Sequence, residues 1–270
     1  STAFSYDRNY SEINSGFGLL ASGELAGEGG LWKFEIAPSY AYQILIDERI
    51  MIRPGLKVGY VNLGIDQSKL IFNDELNSGN ETVEPFSLES RAYLDFSTGA
   101  LVMTEVFWGG ISFNHLNTPN QGLIKNGPGS ELPMKFSLHG GAKIPLSMIQ
   151  QGKPSDKSFS PVMQYKSQGK YDQLNLGFYY NQNPIVLGVW YRGIPLFKKY
   201  DKGFWNADAM TLLFGIQKED NYSIGFSYDF TISRLGPLNS AGSLELSFVK
   251  EWAVKKKRRR RAFIVPCAKF

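Results

Sequence analysis

One cysteine, two histidines and no long uninterrupted apolar run are what this 270-residue chain offers in short supply. A helix that crosses a bilayer needs about 20 consecutive, mostly apolar residues, so helical membrane spans are excluded. Cys267 stands alone near the end of the chain, permits no internal disulfide framework, and reads as an inert thiol in a tail. A hydrolytic site needs a nucleophile, a base and often a metal within mutual reach. His115 and His139 come without an H-E-x-x-H, a G-x-S-x-G or a metal-ligand spacing, and read as polar groups satisfied by their neighbours. No catalytic residue, cofactor or metal site is therefore expected. No Pro/Ser-rich linker divides the chain, so one main domain is expected.

Charge of one sign is also scarce, except in one place. The net charge is +4, but Lys255–Arg261 alone supplies seven positive charges, which leaves the remainder at −3. The basic pI of about 8.9 describes a tail and not the body. Nucleic-acid binding is not expected from it.

What the chain does have is alternation. From Trp32 the even positions read Trp32, Phe34, Ile36, Tyr40, Tyr42 and Ile44, and the odd positions Lys33, Glu35, Ala37, Ser39, Ala41 and Gln43. The pattern recurs at Ile50, Ile52, Leu56, Val58 and Tyr60 against Arg49, Arg53, Gly55, Lys57 and Gly59. It recurs again at Tyr222, Ile224, Phe226, Tyr228 and Phe230 against Ser223, Gly225, Ser227 and Asp229. Period two means strands, because successive side chains leave a strand on opposite faces. Segments of about ten residues with one apolar, aromatic-rich face suit the outside of a transmembrane β-barrel, whereas soluble sandwiches use shorter strands. Aromatic content of 14% and 28 glycines fit such a wall.

Thirteen strands are expected, near Thr2–Asp7, Gly16–Gly23, Leu31–Leu45, Arg49–Asn62, Ala92–Met103, Glu105–Leu116, Met134–Pro145, Ser158–Ser167, Asp172–Tyr180, Ile185–Gly193, Ala207–Gln217, Tyr222–Ile232 and Gly242–Trp252. Their connections sort by length. Short turns at Ile46–Glu48, Thr104, Asn181–Pro184 and Lys218–Asn221 lie on one side. Longer links at Glu24–Gly30, Leu63–Arg91, Asn117–Pro133, Ile194–Asn206 and Ser233–Ala241 lie on the other, with Ser147–Lys157 and Gln168–Tyr171 as exceptions. Outer-membrane barrels sort their loops this way, with the short turns periplasmic. Such barrels generally have an even strand number, so a fourteenth, N-terminal strand and a secretory signal are expected to precede Ser1. The expected organisation is a barrel domain over residues 1–253 and a basic periplasmic tail over 254–270.

By strand parity the interior charges are Lys33, Glu35, Arg49, Arg53, Lys57, Asp95, Lys135, Lys143, Lys166, Arg192, Asp229 and Glu245, of both signs, so salt bridges can tie the interior together. A largely occluded lumen is expected. The small residues Gly55, Gly59, Gly99, Gly141, Gly177, Gly188, Gly215 and Gly225 leave room for an inserted segment. Trp32, Trp108, Trp190 and Trp252 read as interfacial girdle residues. The Asn117–Pro133 and Ile194–Asn206 loops carry Asn, Gln, Pro and aromatics on a rigid scaffold, which suits partner contact through Asn117, Asn120, Gln121, Phe197, Phe204 and Trp205. Lys255, Lys256, Lys257, Arg258, Arg259, Arg260 and Arg261 suit an acidic periplasmic partner or anionic lipid headgroups.

Several runs, in order along the chain, carry a family likeness: GFGLL from Gly16, SYAYQ from Ser39, HLNTPNQ from His115, LHGGAKIPL from Leu138, GKYDQLNLG from Gly169, YRGIPL from Tyr191, YSIGFSYDFTIS from Tyr222 and the closing VPCAKF from Val265. The chain resembles the PorP/SprF outer-membrane proteins of the Bacteroidota. That resemblance implies a non-enzymatic component of type IX secretion and gliding motility that binds, anchors or helps deliver an exported adhesin-type cargo. It also implies contact with outer-membrane lipid and, through the basic tail, with periplasmic type IX components. The rival with the same wall is a diffusion channel or hydrophobic-compound transporter.

Overall fold

Each alternating segment becomes a strand in the computed structural model, which describes residues 1–27, 30–47, 49–70, 90–124, 130–146, 157–193, 207–218, 221–233 and 242–252. The strands are β1 Thr2–Tyr10, β2 Ser15–Ala26, β3 Leu31–Tyr42, β4 Ile44–Asp47, β5 Ile50–Gly64, β6 Arg91–Met103, β7 Phe107–Asn114, β8 Lys135–Ala142, β9 Ile144–Pro145, β10 Lys157–Gln168, β11 Tyr171–Gln182, β12 Ile185–Gly193, β13 Ala207–Lys218, β14 Tyr222–Thr231 and β15 Ser243–Lys250. A single 3-10 turn, Gln67–Lys69, is the one helical element among the described residues.

These fifteen strands make one antiparallel sheet whose hydrogen-bonded order is β1-β2-β3-β5-β6-β7-β8-β10-β11-β12-β13-β14-β15. The order follows the chain without a crossover. β4 pairs with β5 and β9 with β10, so these two short pieces prolong β3 and β8 past single-residue breaks at Gln43 and Lys143. Thirteen expected strands thus appear as thirteen rungs. At the first break the Gln43 amide donates to the Asn14 carbonyl at 2.7 Å, in the turn between β1 and β2. Pro38, which has no N–H to give, coincides with a gap in the β3–β5 ladder between Ile36↔Tyr60 and Ser39↔Lys57. β1 and β15 stand at the two ends of the order, and among the described residues no ladder joins them, so a closed barrel is not seen.

By contacts the chain divides into two compact units. One holds residues 1–44, 53–100 and 112–135; the other holds 45–52, 101–111 and the chain from Phe136 on. Each unit has the same inverted polarity. In the first, Phe17, Leu19, Phe34, Ile36, Tyr40, Leu56, Tyr60, Leu94 and Phe96 point their side chains into solvent. Ala37, Val61, Asp95 and Ser97, on the opposite face, are buried. In the second, Phe178, Leu187, Leu212, Phe214, Ile224 and Phe226 are exposed, while Met51, Met103, Ser137, Ser158, Ser160, Asn175, Val186 and Ser223 are buried. A strand that bares its Phe and Leu and covers its Ser and Asp is built for an apolar surround. Phe34, Ile36, Phe214, Ile224 and Phe226 thus face outward as expected, and Lys33, Lys57 and Asp229 lie half-buried on the other row.

Two sequence expectations need correction. Trp108 and Trp190 belong to the covered row, not to an exposed girdle: both pack against the buried cluster of Val162, Tyr179 and Val186. At three of the glycines the room is taken by the wall itself. A Cβ on Gly177 would meet the Trp190 ring at 2.4 Å, one on Gly188 the Tyr179 ring at 2.8 Å, and one on Gly141 the Trp108 ring at 3.0 Å.

Candidate functional site

The covered row carries the paired charges. In the first unit Glu35 of β3 reaches across Gly59 of β5, where a Cβ would come within 3.2 Å of its Oε1, and accepts from Lys57 Nζ at 2.9 Å. Arg53 donates to Gln43 Oε1 at 2.9 Å. Asp95 of β6 is held by His115 Nδ1 at 2.9 Å, and its other oxygen, Oδ1, is buried without a hydrogen-bond partner among the described residues. In the second unit Arg192 of β12 reaches across β13 to Asp229 of β14 at 3.2 Å. Thr211 of β13 donates to the same carboxylate at 2.5 Å. Trp190 Nε1 donates to the Tyr179 hydroxyl at 2.9 Å. Glu35, Lys57, Asp95, Arg192 and Asp229 are thus paired with one another or with neighbours, as partly covered charges require. Glu245 and Arg49 are exposed instead, the first because it lies on the end strand β15.

The connection after β7 is built with care. His115 turns the chain with φ 59°, in the left-handed region that few non-glycine residues occupy, and Thr118 follows with φ 40°. Leu116 N–H then donates to Phe96 O at 3.0 Å. The Asn117 side chain copies a strand partner: its Nδ2 donates to Leu94 O at 2.7 Å, and its Oδ1 accepts from Phe96 N–H at 3.2 Å. Asn120 Oδ1 accepts from the amides of Gly122 and Ser130, at 2.8 and 3.1 Å. Gln121 N–H donates to Ser130 O and Leu132 N–H to Pro119 O, closing a small hairpin with the bridge Asn120↔Glu131. Pro119 is buried and Asn120–Leu123 are half-buried, so the hairpin lies against protein.

Two more connections of the first unit meet at Gly30, whose φ of 61° and nearness to Asp66 and Lys69 leave no room for a side chain. There the Ser68 hydroxyl, then its amide and Lys69, hold the Asp66 carboxyl below its ordinary range.

Of the partner-contact residues expected from sequence, Asn117, Asn120 and Gln121 fall in one connection, with the Asn117 and Asn120 side chains committed to backbone. Phe197, Phe204, Trp205 and the run Lys255–Arg261 lie outside the described residues. Sequence reasoning missed the Asp95–His115 pair and the Asn117 clasp. Asp95 and His115 were both visible, but only the left-handed turn at His115 brings them together. Among the described residues no group of three or more His, Cys, Asp and Glu forms a metal site.

Over residues 1–249 the chain matches the family described as type IX secretion system membrane protein PorP/SprF. The chain belongs to the PorP/SprF family. No curated protein matches it. A PorP/SprF protein is a secretion-system membrane component and not a member of an enzyme family. Together with the all-β sheet, membership points to the outer membrane.

Proposed function

We propose that the thirteen rungs of residues 1–253 in this PorP/SprF chain form, with one further N-terminal strand, a closed, fourteen-stranded outer-membrane barrel that anchors or helps deliver an exported, adhesin-type cargo of the type IX and gliding-motility machinery. The observation that carries the reading is burial turned inside out. Exposed Phe and Leu on one face suit lipid, and the tightly covered Ser, Asn and Asp on the other suit a filled interior better than a water channel. Cargo arrives from outside, so the long connections make first contact, with Phe204 and Trp205 as aromatic anchors and Asn117, Asn120, Gln121 and Phe197 around them. The tail over 254–270 lies in the periplasm, where Lys255–Arg261 meets acidic partner surface or anionic lipid.

Pull-down of exported cargo from solubilised outer membranes tests this. Trp205→Ala with Phe204→Ala is expected to weaken retention by about 1–3 kcal/mol while the barrel still assembles. Undiminished recovery from a variant lacking the Ile194–Asn206 connection would rule out that placement. Large, steady single-channel currents from the isolated protein would favour the diffusion-channel reading instead.

A further inference from the structure

We propose that Lys218, Tyr222 and Lys250, side by side on the apolar face of the second unit, form a site for the phosphate headgroup of a net-anionic phospholipid in the leaflet on the short-turn side. The inference rests on the barrel reading above and adds a ligand to it. Three observations carry it. First, register puts the three side chains on one rung, since Tyr222 of β14 stands opposite both Lys218 of β13 and Lys250 of β15. The two lysines are about 10 Å apart, two inter-strand spacings. Second, the next rungs on the same row are apolar and exposed: Ile216, Ile224 and Phe248, then Phe214, Phe226 and Leu246. The stretch of β13 from Lys218 back to Leu212 measures about 20 Å along the strand, or about 16 Å along the bilayer normal at a tilt of about 40°. That matches half of a hydrocarbon core about 30 Å thick, so ammonium groups at headgroup level leave the acyl chains to the apolar rungs. Third, charge on this face is sorted. Along the outward rows of β10–β15 the basic residues, Lys157, Lys218 and Lys250, stand at the short-turn ends, and the acidic ones, Asp172 and Asp208, at the opposite ends.

The rung is also held in place. Asn221 N–H donates to Lys218 O at 3.2 Å, Asn221 O accepts from Glu251 N–H at 2.9 Å, and the Asn221 side-chain oxygen accepts from Lys250 Nζ. An ammonium has three donors, so Lys250 keeps two for phosphate oxygens. Among the described residues neither Lys218 nor Lys250 pairs with a carboxylate. Two cations at the border of lipid thus await an anion that lipid itself supplies.

The test reconstitutes the full chain in phosphatidylcholine vesicles holding a trace of spin-labelled phosphatidylglycerol or spin-labelled phosphatidylcholine. Lys255–Arg261 are changed to Gln in every form, so that the basic run adds nothing. The motionally restricted fraction of each label gives its relative affinity for the protein. A several-fold preference for phosphatidylglycerol is expected. Lys218→Gln with Lys250→Gln is expected to abolish it, with β circular dichroism and heat-modifiable migration retained. Lys218→Gln alone, which keeps the Lys250–Asn221 bond, is expected to lower it in part, and decides the matter if the double variant fails to assemble. A charge-matched control outside β13–β15, Lys69→Gln with Lys135→Gln, is expected to keep the full preference. Equal affinities in the parent, an unchanged preference in either Lys218 variant, or an equal loss in the control overturns the site and leaves the barrel standing. Absence of restricted lipid in every form overturns the barrel, and the site with it.

Discussion

Glycine and aromatic side chains are partners across this sheet. The Trp190 indole lies where a side chain on Gly177 would be, and Trp32 lies likewise over Gly64, with a would-be Cβ contact of 2.6 Å. Covering a strand glycine with a neighbour's ring shields backbone that would otherwise be bare and fixes the ring's rotamer. Gly177→Ala is therefore expected to destabilise by about 1–3 kcal/mol through overpacking, seen as a lower urea midpoint. Gly16→Ala, whose new Cβ would meet only Arg8 O at 3.8 Å, is expected to be far milder. The same row offers a charge test. Lys57 and Glu35 are partly covered, so a double-mutant cycle with Lys57→Met and Glu35→Gln is expected to give a coupling of about 1 kcal/mol. A coupling near zero would make the pair ornamental.

At the scale of the strand, alternation in the sequence was enough to place all thirteen rungs. Period two is a local property, and the apolar row needs no knowledge of what it touches. What alternation could not place were the ends and the breaks. β1 runs to Tyr10 and not to Asp7, and β3 stops at Tyr42, because backbone bonds to the neighbouring turn decide these points. Pairing of interior charges was equally hidden: Arg192 and Asp229 are separated by a whole strand, and only the register of β12, β13 and β14 brings them within reach. The apolar row itself makes a graded prediction. Leu212 sits mid-strand on β13, with Val189 and Tyr228 as its cross-strand neighbours. Leu212→Arg is expected to cost about 2–4 kcal/mol in a bilayer, whereas Ile185→Arg at the first position of β12 is expected to cost about 0–1 kcal/mol. Unfolding from lipid vesicles measures the difference, and equal costs would argue against a membrane midplane at Leu212.

For the whole molecule, the two strands that end the sheet order matter most. β1 and β15 are exposed on most of both faces, with Leu246 at 71% and Phe4 at 66%. If a fourteenth strand stands between them, their chains are about 10 Å apart, two inter-strand spacings, which is too far for a disulfide. Ser5→Cys paired with Ser247→Cys or Glu245→Cys, with Cys267 replaced by Ser, is thus expected to stay reduced in assembled protein. Efficient crosslinking would instead put β1 directly beside β15. The sheet order that follows the chain also bears on how such a wall comes into being. Every ladder but a closing one joins a segment to the segment just made, so each step closes only a short loop and the entropy lost at each is small. Zippering of this kind can advance hairpin by hairpin. Joining the two ends cannot, because it ties residues nearly the full chain apart. In the proposed barrel that seam would be the slow step of assembly, and until it formed the sheet would carry two unpaired edges open to pairing with another chain.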